Sequence, residues 1–162
     1  MGRIYYVPFA SGTVTNAGGN TDLWELTPAD DKPIKLRGFI VSQTSEVGDA
    51  AEESVNLSVI HLGSAVTSGN GTSVTPVPRD IGVDPAAGFT AEINGATVAT
   101  TSGTATTCIE LCWNLRNSPY EFWLPEDRFC PVSRQGTALV IRMNTTVADD
   151  ITFAGTAIVE EE

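Results

Sequence analysis

Ile109-Glu110-Leu111-Cys112-Trp113-Asn114-Leu115-Arg116 places an apolar side chain at Ile109, Leu111, Trp113 and Leu115, with Glu110, Asn114 and Arg116 between them. Successive side chains of a strand point to opposite faces, so this pattern predicts a half-buried strand. The same period recurs in Val55, Leu57 and Val59, in Ile34, Leu36 and Ile40, and in Leu139, Ile141 and Met143. Weaker runs at residues 3–9, 22–26, 120–124 and 151–159 carry the aromatic and β-branched residues that suit a pleated surface. Pro28, Pro33, Pro119 and Pro125 punctuate these runs, and Asp149-Asp150 reads as a turn between 138–143 and 151–159, which are expected to form a hairpin. Helical periodicity is confined to residues 46–54, room for one or two turns. About eight short strands without alternating helices predict an all-β fold, an antiparallel two-sheet sandwich or jelly roll.

The chain has 162 residues, 41% of them hydrophobic, which suits a single domain over 1–162 with a core of its own. Nine Lys and Arg against twenty Asp and Glu give a net charge of −11. A surface of that sign repels phosphate, which argues against direct nucleic-acid binding and against docking on anionic membranes. The first residues lack the charged-then-apolar pattern of a signal peptide, and the myristoylation pattern begun by Met1-Gly2 lacks its Ser or Thr, so synthesis in the cytoplasm is expected.

Residues 63–107 break the pattern. They are nearly free of charge and rich in Gly, Ser, Thr, Ala, Val and Pro. A loop of that length inside a compact domain is uncommon and usually functional. Pro76 and Pro78 hold residues 73–78 extended, and Asn70-Gly71 and Asn94-Gly95 are turn signals. The apolar residues are too thinly spaced for a second core. A long extended loop or arm is expected, covering the edges of its own sheets or of a neighbouring copy.

Chemistry-bearing residues are sparse. His61 is the single histidine and no Gly-x-Ser-x-Gly or His-Glu-x-x-His pattern accompanies it, so no catalytic residue is assigned. Asp30-Asp31, Glu52-Glu53, Glu126-Asp127 and Asp149-Asp150 are adjacent pairs, whose side chains on a strand diverge rather than face one another as a glycosidase needs. The acidic run 46–53 lacks calcium-loop spacing, and Asn16-Ala17-Gly18-Gly19-Asn20 reads as a flexible turn. Cys108 and Cys112 on one strand would lie ~13 Å apart, too far for a disulfide, and with Cys130 they are expected to be buried free thiols. No metal or cofactor is assigned. Trp113, Tyr120, Phe122 and Trp123 cluster around the Asn117-Ser118-Pro119 turn; core packing accounts for Trp113, while Tyr120 and Trp123 are candidates for stacking on a sugar. Tyr5, Tyr6 and Phe9 occupy both parities of the first strand, so some of these rings are expected to face a partner.

Leu23-Trp24-Glu25-Leu26, then Pro28-Ala29-Asp30-Asp31, then Leu36-Arg37-Gly38-Phe39-Ile40-Val41-Ser42-Gln43 with acidic residues after it, the Gly- and Thr-rich middle, and Phe153-Ala154-Gly155-Thr156 follow one another in order. This arrangement resembles small virion proteins of tailed phages, of the capsid decoration, or cement, class. The resemblance implies a β-sandwich without catalytic residues, often a homotrimer, that binds the major capsid protein or other virion proteins and stabilises the head shell. It implies a location in the virion after synthesis in the host cytoplasm. On that reading Arg3, Tyr5, Tyr6 and Phe9 are expected to contact the shell, and Val74, Pro76, Val77, Pro78, Arg79 and Phe89 to contact other copies. The alternative is a carbohydrate-recognising tail or receptor-binding module that uses Tyr120 and Trp123.

Overall fold

The computed structural model describes residues 2–16, 18–45, 53–117 and 119–162. The chain runs through β1 (Arg3–Val14), β2 (Thr21–Thr27), β3 (Ile34–Gln43), β4 (Ser54–Leu62), β5 (Val66–Thr67), β6 (Thr72–Val74) and β7 (Val77–Pro78). It continues through β8 (Thr90–Gly95), β9 (Thr100–Thr101), β10 (Ala105–Asn114), β11 (Tyr120–Trp123), a 3₁₀ turn (Asp127–Phe129), β12 (Val132–Ser133), β13 (Ala138–Met143) and β14 (Ile151–Glu161). The fold is all-β, and every strand pair among the described residues is antiparallel. No helix is long and apolar enough to cross a membrane.

Two six-stranded sheets carry the fold. The first has the order β11-β3-β14-β1-β7, with β12 also paired to β3, and the second has the order β10-β4-β13-β2-β8-β6. Their inner faces share one core, to which β1 supplies Tyr5, Val7 and Phe9, β3 Leu36, Phe39 and Val41, β4 Val55, Leu57 and Val59, and β14 Phe153, Ala157 and Val159. In β1 and β4 these are period-two positions, one face of the strand being removed from water as alternation requires. In β3 the register slips between Leu36 and Gly38, so Phe39 and Val41 turn inward and Ile40, expected to share the face of Ile34 and Leu36, lies on the other one. Each of the eight expected runs overlaps a strand. The expected hairpin does not form: β13 pairs with β2 and β4 in one sheet, while β14 pairs with β1 and β3 in the other. Residues 144–150 therefore cross between sheets, with Val147 buried in the passage.

Residues 63–107, expected as a long extended loop or arm over the edges of its own sheets or of a neighbouring copy, pair with the chain's own sheets. β8 adds to β2, β6 to β8, and β7 to β1, while β5 and β9 make a small ribbon. The surrounding loops lie on the outer face of the second sheet, where Ile60, Leu62, Ala99, Ala138 and Val140 form a second apolar cluster with Val66 against it. Beside it the buried Asp22 carboxylate accepts the Ala99 N–H at 2.7 Å, and Arg142 bridges Asp22 to the Ala99 carbonyl. Backbone bonds and a few small apolar contacts thus supply what the thin hydrophobic pattern could not.

Candidate functional surface

The chain covers its second sheet's outer face around Ile60, Leu62, Ala138 and Val140 and leaves Glu110, Cys112 and Asn56 exposed at the β10 side, so the exposed rings are found on the first sheet's outer face. Tyr5, Val7 and Phe9 point inward, so Tyr6 points out and is 38% exposed. Strand register continues that position across the sheet: Val77 is opposite Tyr6, Tyr6 opposite Ile158, Ile158 opposite Gly38, and Gly38 opposite Trp123. Phe122 packs on Phe39 in the core, which sends Trp123 to the outside, 51% exposed. Gly38 makes room for the indole there, since a Cβ on it would lie 3.0 Å from Trp123 Cε3. Trp123 Nε1 donates to Glu121 Oε2 at 3.3 Å. The two positions are three interstrand spacings apart along the backbone, about 14 Å, with the largely covered Ile158 between them.

The remaining exposed large apolar side chains among the described residues are Ile81 and Val83, just after β7, and Phe129, in the 3₁₀ turn after β11. All five therefore belong to the strands of the first sheet or to segments directly following them. Arg128 lies over the Phe129 ring at 4.9 Å.

Beside the aromatic row is an ionic chain. Lys35 pairs with Glu162 and, at 3.1 Å, with Asp127; Arg37 pairs with Asp127 at 2.9 Å and Glu160 at 3.4 Å. The Gly2 N–H donates to Glu160 Oε1 at 3.0 Å. The hydrogen bonds that Lys35 donates to the Glu162 and Asp127 carboxylates push its ammonium above its ordinary value, so it stays charged. Gly2, Lys35, Asp127, Glu160 and Glu162 line a shallow cavity of about 510 Å³. Both cations are spent on carboxylates, and the chain ties both ends of the described structure to the 3₁₀ turn. His61 lies on the other sheet, in β4, so the geometry does not join it to these carboxylates.

The expected contact residues divide. Arg3 is exposed and pairs with Asp84 at 3.6 Å, and Tyr6 is exposed, as a docking role needs. Tyr5 and Phe9 do not meet that requirement, because both are buried: Tyr5 meets Phe89 edge-on at 5.7 Å and Phe9 meets Trp24 at 4.9 Å. Burial, then the Glu161 carboxylate, push the Tyr5 phenol up, and its hydroxyl donates to the Pro85 carbonyl. Phe89 is buried too, anchored by its N–H to Glu161 Oε1 at 3.1 Å. Pro76 is buried and Val74 packs against the core, while Val77 and Pro78, both half-buried, form β7 on their own β1. Arg79 remains exposed. Tyr120 is half-buried and stacked on Trp113 at 6.0 Å, so of the two sugar candidates Trp123 alone presents a free face. Sequence reasoning missed Ile81, Val83 and Phe129; two apolar residues flanking Gly82 were the readable signal for the first pair.

Cys108 and Cys112 are exposed on β10, against the expectation of burial, and Cys130 is buried with its thiol pushed up by that burial. All three are free thiols, and among the described residues no group of three or more His, Cys, Asp and Glu is placed to hold a metal ion. The acidic run 46–53, apart from Glu53, lies outside the described residues, as do Met1, Ala17 of the glycine-bearing turn and Ser118 of the aromatic turn.

Glu25 is buried on the outer side of the second sheet, directly opposite Glu92, and accepts the Gly69 N–H at 3.1 Å. Burial pushes the Glu25 carboxyl above 4.5, and the Glu92 and Asp22 charges add to the rise. A raised folded-state value means the folded chain holds the proton more firmly than the unfolded one, so stability falls as pH rises from 4.5 through that value. Glu25→Gln is expected to remove this fall and to add about 1 kcal/mol at neutral pH through an amide donated to Glu92, whose Oε2 is buried without a partner. Thermal melts at pH 5 and 7 check it; a variant less stable than wild type at pH 7 contradicts it.

No protein-family model matches the chain, and no curated protein or solved structure matches it.

Proposed function

We propose that this chain is a structural protein of a tailed-phage virion, a β-sandwich decoration subunit that binds the outside of the head shell and stabilises it through protein–protein contacts. The supporting observation is an asymmetry of exposed apolar groups: residues 63–104 cover the part of the second sheet's outer face around Ile60, Leu62, Ala138 and Val140 and its β10 side exposes small and polar residues, whereas Tyr6, Trp123, Phe129, Ile81 and Val83 are exposed around the first sheet. Exposed apolar groups concentrated on one side of a molecule mark an interaction surface. A net charge of −11 keeps free subunits soluble and away from packaged DNA. Arg3 and Tyr6 remain in the contact set, and Trp123 joins them from the opposite side of the sheet.

Cosedimentation with empty heads built from the coat protein of the same phage tests this. Tyr6→Ala/Trp123→Ala is expected to weaken head binding at least thirtyfold, since a buried aromatic anchor contributes about 2 kcal/mol or more. Binding by the variant equal to wild type rejects this face as the contact. The exposed Trp123 with Glu121 beside it also favours a second reading, a carbohydrate-binding tail module. That reading predicts saccharide binding abolished by Trp123→Ala alone and no association with heads.

A further inference from the structure

The sheets end in edges that are guarded to very different degrees. β7 has two residues and ends in Pro78; β6 has three and is followed one residue later by Pro76. β11 has four, between Pro119 and Pro125, and beyond it the same side of β3 carries only the two-residue β12. Where β1 runs past β7 it carries Pro8 and a bulge between Phe9 and Gly12, and side chains cap its carbonyls, Trp24 Nε1 to Val7 O and Asn94 Nδ2 to Thr13 O. These are the devices by which soluble proteins keep strand edges from pairing with other chains.

β10 has almost none of them. It is ten residues long, ATTCIELCWN, without proline, lysine or arginine, and it ends the second sheet with β4 on one side and no strand among the described residues on the other. Its one irregularity, a bulge between Thr107 and Ile109, leaves a regular run over 109–114. Its single charge, Glu110, accepts a hydrogen bond from Ser58 Oγ at 2.6 Å and is thereby held over its own sheet. The row of backbone N–H and C=O groups along the free side is a template for one more strand.

We infer that this edge pairs with β10 of a second copy of the chain, antiparallel, joining the two second sheets into one continuous sheet. Two observations select that occupant. The other edges are too short or too guarded to meet a ten-residue strand, so among copies of this chain only β10 matches β10; such a contact uses the same patch on both subunits and is two-fold. Copies carrying −11 each repel at close range, and a strand with one charge, already engaged by Ser58, lets two of them approach. The contact is therefore a dimer contact, not the trimer that the virion resemblance implies. It extends the assembly reading, and its test needs no phage heads, so either can fail alone.

The test is sedimentation velocity of the full chain over a concentration series under reducing conditions, with amide hydrogen exchange read over residues 105–114. Wild type is expected to pass from monomer to dimer with concentration, and the 109–114 amides that point away from β4 to slow about tenfold or more as it does. Thr107→Lys/Cys112→Lys, at two exposed positions, is expected to stay monomeric with an unchanged melting temperature. The exchange comparison on wild type stands even if that variant misfolds. A monomer at every concentration, a trimer, or a dimer whose outward β10 amides still exchange fast overturns the inference. Protection of those amides only when heads are added also overturns it and assigns the edge to the shell.

Discussion

Arg142→Ala is expected to lower the unfolding free energy by about 3–5 kcal/mol, the cost of leaving a buried charge without its partner. Arg142 holds Asp22 through two bonds, Nε to Oδ1 at 2.5 Å and Nη2 to Oδ2 at 3.1 Å, and Asp22 is only 2% exposed. The same guanidinium donates to the Ala99 carbonyl at 2.8 Å, so it also fastens the loop that covers the second sheet. At this chain length the loss corresponds to a fall in Tm of roughly 10 °C or more. Amides around Ala99 are expected to exchange as fast as those of an open loop. Removing both charges together, as Asp22→Leu/Arg142→Met, restores most of the stability, because an apolar pair of similar volume does not have to be desolvated as ions. Thermal melts of the three chains decide it; a single variant within about 1 kcal/mol of wild type means that water reaches Asp22 and the pair is not truly buried.

The legible part of this fold is the part written in period two. Ile109, Leu111 and Trp113, or Val55, Leu57 and Val59, announce both a strand and its inward face, and the structure places them so. The same rule applied to Tyr5, Val7 and Phe9 separates the buried rings from Tyr6, and Trp123 follows from its opposite parity to Phe122. Residues 63–107 were not legible because their order comes from register with distant strands. Glu92 lies opposite Glu25, and Val77 opposite Tyr6, pairings that no local pattern contains. Asp22 and Arg142, 120 positions apart, each look like ordinary surface charges until the strands β2 and β13 bring them together. The hairpin expectation failed for a related reason: proximity in sequence and a turn at Asp149-Asp150 do not reveal whether a connection stays in one sheet or crosses to the other. The candidate surface was half legible, since its exposed rings could be read from parity whereas the covering of the opposite face could not.

Trp24→Ala is expected to cost about 3–5 kcal/mol, the usual range for removing a fully buried tryptophan. Trp24 belongs to the second sheet, yet its partners are in the first: Phe9 at 4.9 Å, Phe39 at 6.1 Å, and the Val7 carbonyl, which accepts from Nε1 at 2.9 Å. Its seat is Gly155 of β14, where a Cβ would lie 2.9 Å from Trp24 Cη2 and 2.5 Å from the Ile40 carbonyl oxygen. The indole and the missing side chain are therefore two halves of one contact between the sheets. Gly155→Ala should cost about 1–3 kcal/mol by overpacking. Combining it with Trp24→Phe, which withdraws the atoms in conflict, should cost less than the sum of the two single changes. Rescue must be partial, because the Ile40 carbonyl is backbone and cannot turn away. Strict additivity, measured by denaturant unfolding of the four chains in the cycle, would mean that Trp24 and Gly155 do not share the site. A Trp24→Ala chain that keeps wild-type stability would dissolve the argument that this ring locks the two sheets together.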